Sequence, residues 1–136
     1  MNTEEKEEAK KITALVVDDE ESQLELLEDI LRAYGISRVI PAKSSEAALE
    51  LFKSEKPDIV FSDIMLFKTS GLALVRKIKS LQPEVPVILI SGFHEYRRIL
   101  EKSLSKPDLF LEKPINALKI KKILFQYFPQ LKKKKR

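Results

Sequence analysis

Five short apolar runs, each followed by a stretch of helical periodicity, constrain this chain more than any other feature of it. The runs cover residues 13–17, 38–42, 58–62, 87–90 and 109–111. After the first, Leu24, Leu27, Leu31 and Tyr34 recur on one helical face, and Gly35 is placed to cap its end. Ser44 and Ser45 are candidate N-caps for a helix carrying Ala47, Ala48, Leu51 and Phe52. Leu72, Val75 and Ile78 follow Gly71 at helical spacing, and Pro83 and Pro86 end that segment. A charged helix is expected over residues 94–104, and Asn116 can cap a last one carrying Leu118, Phe125 and Phe128. Strands alternating with helices of about 10–15 residues predict an α/β domain whose parallel sheet is covered on both faces. The runs lack polar alternation, as strands buried on both sides do.

A chain of 136 residues, 43% apolar and 34% charged, is long enough for one packed domain and ordinary enough in composition to fold. It has no cysteine, which excludes disulfides and thiolate metal sites. Residues 1–11 are rich in Glu and Lys, unlike a signal peptide, and no apolar run approaches a membrane span, so a cytoplasmic protein with no membrane insertion is expected. The net charge of +4 comes from the last five residues, all cationic; the other 131 sum to −1. The body is nearly neutral, and no nucleic-acid binding is expected from it. The basic end reads as a solvated tail.

Ligands of open parallel sheets sit beyond the carboxyl ends of the strands. Those ends offer Asp18 and Asp19, Asp63, Ser91 and Lys113. Three carboxylates at one edge repel unless a cation lies among them, and a hard ion such as Mg²⁺ takes carboxylate, carbonyl and phosphate oxygens. A serine hydroxyl and a lysine ammonium suit the remaining phosphoryl oxygens. Nucleophile, metal and charge stabilisers are together the parts of phosphoryl transfer. Singly each residue has a plainer reading: Asp-Asp as helix-capping anions, Ser91-Gly92 as a turn, Lys113 as a solvated charge.

In combination they resemble the receiver domain of two-component response regulators over residues 12–128, leaving a charged extension at 1–11 and a basic tail at 129–136. The motifs are Asp18-Asp19, Asp63-Ile64-Met65-Leu66 with Gly71 eight residues beyond the aspartate, Ser91-Gly92 and Glu112-Lys113-Pro114. The resemblance implies a flavodoxin-like five-stranded sheet of order 2-1-3-4-5 with five helices. It implies that Asp63 takes a phosphoryl group from a sensor histidine kinase or a histidine phosphotransfer protein. Mg²⁺ would be held by Asp19, Asp63 and the backbone carbonyl of Met65, with Asp18 binding directly or through water. Lys113 would pair with the phosphoryl group, and its bond to Pro114 would be cis. Ser91 and Phe110 would form the switch, altering the surface of the fourth helix, fifth strand and fifth helix (α4-β5-α5), where a homodimer can form. The module would be a signalling phosphoacceptor rather than an enzyme.

Three residues or segments depart from the family pattern: Phe67 where proline is usual, Phe110 for the commoner tyrosine, and Ser105-Lys106-Pro107 before the fifth strand. Met65 and Phe93, apolar and bulky, would flank the path of a hydrolytic water and slow self-dephosphorylation. His94, the lone histidine, is expected to be a surface residue. Two other readings remain open. One is a phosphatase of the haloacid-dehalogenase type using Asp18, faintly echoed in Asp18-Asp19-Glu20-Glu21-Ser22; the other is a pseudo-receiver that binds partners without phosphorylation.

Overall fold

The computed structural model describes residues 11–66, 69–92 and 108–134. Five parallel strands form one sheet: β1 Thr13–Val17, β2 Arg38–Ala42, β3 Ile59–Asp63, β4 Val87–Ser91 and β5 Leu109–Glu112. Their order is β2-β1-β3-β4-β5, with β1 and β3 adjacent at the centre. This is the expected 2-1-3-4-5 arrangement. The chain reverses direction across the sheet between β1 and β3, and such a reversal opens a crevice at the strands' carboxyl ends.

Strand alternation sorts the core into two layers. Ala14, Val16, Ile59, Phe61, Ile88 and Ile90 face one side of the sheet. Leu15, Val17, Val60, Val87 and Leu89 face the other. The first layer is covered by α1 (Glu21–Ala33) through Leu24, Leu27 and Leu31, and by the C-terminal helix (Ala117–Tyr127) through Ile120, Ile123 and Leu124. The second is covered by α2 (Ser45–Glu55) and α3 (Gly71–Leu81). Each fully buried Leu or Ile contributes about 1.5–3 kcal/mol, so these layers hold the domain together.

Helix ends form where the sequence places its capping residues. Ser44 Oγ accepts the Ala47 N–H at 3.1 Å, and Asn116 Oδ1 accepts those of Leu118 and Lys119. After α1, Gly35 adopts φ +110°, and the N–H of Ile36 reaches back to the Leu31 carbonyl at 3.0 Å. That bond and the one from Gly35 N–H to Arg32 make the Schellman closure that glycine permits.

Three details differ from expectation or extend it. The C-terminal helix buries Ile120, Ile123 and Leu124, whereas Leu118, expected inside, is 62% exposed and Phe125 only half-buried. The helix carries apolar residues around more than one face, and contact with α1 and the sheet selects the 120–123–124 stripe. Leu131, assigned to the basic tail at 129–136, is 2% exposed within a 3₁₀ turn over Pro129–Lys134 and packs under Gly35. One leucine in a lysine-rich segment is enough to draw it onto the core. Residues Met65–Leu66 and Thr69–Ser70 form a short antiparallel ladder beyond β3. The helix expected over residues 94–104, with Phe93, His94, Phe67 and residues 105–107, lies outside the described residues.

Candidate functional site

Backbone ladder bonds carry the sheet pattern just past the strand ends and so aim the polar residues there. The N–H of Asp18 binds the Ala42 carbonyl at 3.0 Å, that of Ile64 binds Ile90 at 2.9 Å, and that of Lys113 binds Ser91 at 2.8 Å. Asp18, Asp63, Ser91 and Lys113 therefore follow or end β1, β3, β4 and β5 along one edge. Asp18, Asp63 and Ser91 are buried, and Lys113 is partly so.

The central contact joins Lys113 Nζ to Asp63 Oδ2 at 2.9 Å. The other oxygen, Asp63 Oδ1, accepts the Met65 N–H at 3.0 Å. Asp18 Oδ1 accepts the Glu20 N–H at 2.9 Å. That bond only partly offsets its surroundings. Burial above all, then the charge of Asp63 and a shared hydrogen bond with it, raise the Asp18 pKa to about 6, against the lowering pull of Lys113. Burial works to lower the Lys113 pKa, but the hydrogen bond and charge of Asp63, with Asp18 and Glu20 behind them, hold it above the ordinary lysine value. Two carboxylates thus share one ammonium, and the pair carries an unbalanced negative charge.

Two further residues shape the loop after Asp63, of which only Gly71 had a sequence signal. Ser62, fully buried, donates from Oγ to the Asp63 carbonyl at 3.0 Å. Gly71 opens α3 with its N–H on the Ile64 carbonyl at 2.8 Å. A Cβ there would lie 2.4 Å from the Asp63 carbonyl oxygen and 2.9 Å from Ile64 Cα, so only glycine lets the helix approach this closely. The glycine was legible as part of a motif; its reason is this backbone contact.

A family model described as the response regulator receiver domain matches residues 14–125. The chain belongs to the response-regulator receiver family. It is 33% identical over 107 residues to the alkaline phosphatase synthesis transcriptional regulatory protein PhoP of Bacillus subtilis, and 30% identical over 105 residues to the transcriptional regulatory protein ZraR of Escherichia coli. These matches cover 78% and 77% of this chain but only 44% and 24% of the two relatives. Among solved structures, a response regulator receiver domain protein from Clostridium thermocellum superposes with a TM-score of 0.78 at 27% identity, covering 89% of this chain and 97% of that one.

Seen as a receiver, the chain brings together three of the expected residues directly: Asp18, Asp63 and Lys113. Asp19 is exposed, and no hydrogen bond or ion pair joins it to them; among the described residues no group of three acidic or histidine side chains is gathered as a metal cluster. The donor chemistry nonetheless fits a hard divalent cation, because two buried, mutually repelling carboxylates hold oxygens that a single lysine does not balance. The Met65 side chain is 64% exposed beside them. Phe110, on β5, is half-buried and packs against the α2–α3 layer of the core. The Lys113–Pro114 bond is cis, as the resemblance implied. Among the described residues no helix is long and apolar enough to cross a membrane.

Proposed function

We propose that this receiver accepts a phosphoryl group on Asp63 from the phosphohistidine of a sensor histidine kinase or histidine phosphotransfer protein. The observation that carries the reading is the Asp63–Lys113 contact at 2.9 Å with Asp18 buried beside it. Asp63 is the better nucleophile of the two aspartates, since the lysine holds its oxygen at the open edge of the sheet while Asp18 is tied back to the Glu20 N–H. A carboxylate oxygen of Asp63 attacks phosphorus in line, the P–N bond breaks, and its electron pair leaves with the imidazole. The product is an acyl phosphate.

Asp18, Asp19, Asp63 and the Met65 carbonyl would hold Mg²⁺, which supplies charge neutralisation for the carboxylates and the incoming phosphoryl oxygens. Lys113 then exchanges a carboxylate partner for a phosphoryl oxygen, keeping a charge-assisted bond throughout. Ser91, buried at the end of β4 with its backbone carbonyl accepting the Lys113 N–H, would donate from its hydroxyl to another phosphoryl oxygen. Phe110 would follow it and change the surface made by β5, the C-terminal helix and the helix expected at residues 94–104, where a second copy would dock. Residues 12–128 form the receiver module in this reading, acting in the cytoplasm as a signalling phosphoacceptor.

Incubation with acetyl phosphate and Mg²⁺ tests the assignment. The parent should gain one phosphoryl group per chain, Asp63→Asn none, and Asp19→Asn and Lys113→Ala little. Label mapped to Asp18 would convert the reading to an aspartate-nucleophile phosphatase. A parent that takes up no label from acetyl phosphate or a panel of histidine kinases would be a pseudo-receiver.

A further inference from the structure

We propose that the opposite end of the sheet carries a second site, a crevice that takes a small organic carboxylate with an apolar body. The crevice has a volume of about 370 Å³ and lies where α2 and α3 end. Small-molecule sites occupy about 300–1,000 Å³, so it falls at the lower end of their range. Its floor and walls are apolar: Phe52 from α2, Pro57 before β3, Leu81 closing α3, and Val85 before β4. Leu81 is 45% exposed at the rim, an apolar surface in want of a cover. The polar lining residues are Lys53, Lys56 and Gln82, with no carboxylate among them. Neither lysine takes part in an ion pair among the described residues, unlike two other cations of this end. Arg38 holds Glu55, and Lys79 holds Asp108.

Both walls are held in place without a ligand. On one side the Lys56 N–H closes α2 onto the Phe52 carbonyl at 3.1 Å. On the other, Lys79 Nζ binds the carbonyls of Pro83 and Val85 at 3.1 and 2.8 Å, and the Val85 N–H binds Gln82 at 3.2 Å. Little ordering is left for a ligand to impose, which favours binding of a small molecule. A ring or short chain would cover Phe52, Leu81 and Val85, while its carboxylate would meet the lysines and the Gln82 amide. Acidic Asp58 and Glu84 line an adjoining crevice that shares Pro57 and Val85, so a dianion or an extended acid would be disfavoured. The ligand is therefore a compact monocarboxylate. Pro57 and Asp63 bracket β3, which puts the site on the order of 20 Å from the acceptor, six residues at about 3.3 Å each.

The test uses phenylacetate, its neutral isostere phenylacetamide, and inorganic phosphate, each titrated into the whole isotope-labelled protein and followed by amide chemical shifts. The expected result is saturable shifts with phenylacetate at residues around Phe52, Lys56, Leu81 and Val85, and none at Asp63 or Lys113. Phenylacetamide should bind about fivefold more weakly, and Lys53→Gln with Lys56→Asn should lower phenylacetate affinity by about the same factor, the worth of partly exposed charge pairs. Asn accepts the left-handed backbone at residue 56, so the fold is kept. Leu81→Ala should weaken both ring compounds alike. The proposal fails if phenylacetamide matches phenylacetate, if phosphate alone produces the same shifts with the same affinity, or if no saturable shift gathers at the crevice. None of these results depends on whether Asp63 is phosphorylated, which the acetyl phosphate experiment decides separately.

Discussion

The two ends of the sheet use the same residue, aspartate, in opposite ways. At the amino end Asp58 Oδ2 accepts the Thr13 N–H at 2.9 Å, and Asp108 Oδ2 accepts the Val87 N–H at 2.7 Å. Each thereby closes the first rung of a neighbouring strand, and Asp108 also pairs with Lys79 at 2.5 Å. Both sit in the triplet Lys-Pro-Asp, at residues 56–58 and 106–108. At the carboxyl end, Asp18 and Asp63 face each other over one shared lysine, and the Asp18 pKa rises to about 6. Asp58 and Asp108 are matched to donors and tie strands together. The anions at the carboxyl end are crowded, and their repulsion is relieved only by a proton or a cation. The two ends differ in whether the carboxylates lie against one another, not in residue type.

The largest effect expected at the carboxyl end is not electrostatic. Gly71→Ala would drive a methyl group into the Asp63 carbonyl, at 2.4 Å. The backbone there must shift, at a cost of about 3 kcal/mol. Denaturant melts should show that loss, and Asp63 labelling by acetyl phosphate should slow in the folded fraction. Unchanged stability would mean that α3 can slide away from the acceptor loop.

At the amino end, Asp108→Ala leaves the Val87 N–H without its side-chain acceptor and Lys79 without its carboxylate. A loss of about 2 kcal/mol is expected. Asp63→Ala should do the reverse in metal-free protein, leaving stability unchanged or raised by about 1 kcal/mol as crowding is relieved. Melts of the two variants in EDTA at pH 7 give the comparison directly. If both lose stability equally, the carboxylates at the two ends are equally well matched.

Acidity sharpens the contrast further. The folded-state pKa of Asp18, about 6, lies above its ordinary value of 3.8, so the folded protein binds the proton more tightly than the unfolded chain. Its destabilising effect is complete above pH 6 and fades as pH falls through 6 toward 3.8. Between pH 7 and pH 5 the metal-free parent should gain about 1 kcal/mol relative to Asp18→Asn, which has no such proton to bind. Parallel stability curves for the two proteins would show that Asp18 is not desolvated beside Asp63.

Much of this was legible in the chain because parallel β/α folds place their polar residues in fixed positions. An apolar run that ends in Asp63, or precedes Lys113, must deliver that residue to the carboxyl edge once the sheet forms. The delivery of Asp18, Asp63, Ser91 and Lys113 to one edge was therefore accessible without coordinates, whereas the sheet order came from the resemblance and the Asp63–Lys113 contact from the structure. Which of Asp18 and Asp19 turns inward was not, since strand alternation ends at Val17 and the loop beyond decides it. The buried face of the C-terminal helix was misjudged because Leu118, Ile120, Ile123, Leu124 and Phe125 satisfy more than one helical stripe. The repeated Lys-Pro-Asp triplet carried a signal that spacing alone does not interpret. An aspartate just before an apolar run caps the neighbouring strand only if the two strands start level, which is a property of register.

The smallest effect concerns Lys56, the one non-glycine residue among those described with positive φ, at φ 51° and ψ 60°. It ends α2 in the left-handed conformation, its N–H bonded to the Phe52 carbonyl, a place where glycine is the common occupant. An L-residue there carries about 1–2 kcal/mol of strain, whereas glycine carries none but loses more entropy on folding, about 0.5–1 kcal/mol. Lys56→Gly should therefore stabilise the protein by about 0.5 kcal/mol, and Lys56→Asn by less, with the sheet unaltered. The strain lies at the end of the molecule where Asp58 and Asp108 are matched to donors, beside a crevice that the lysine helps to line. A measured gain would mean that the amino end too gives up stability, through backbone conformation rather than charge. A loss on Lys56→Gly would instead show that the lysine stem packs on the crevice wall strongly enough to outweigh its strain. Equilibrium urea unfolding of the two variants, with equal m-values as the check on two-state behaviour, decides between them.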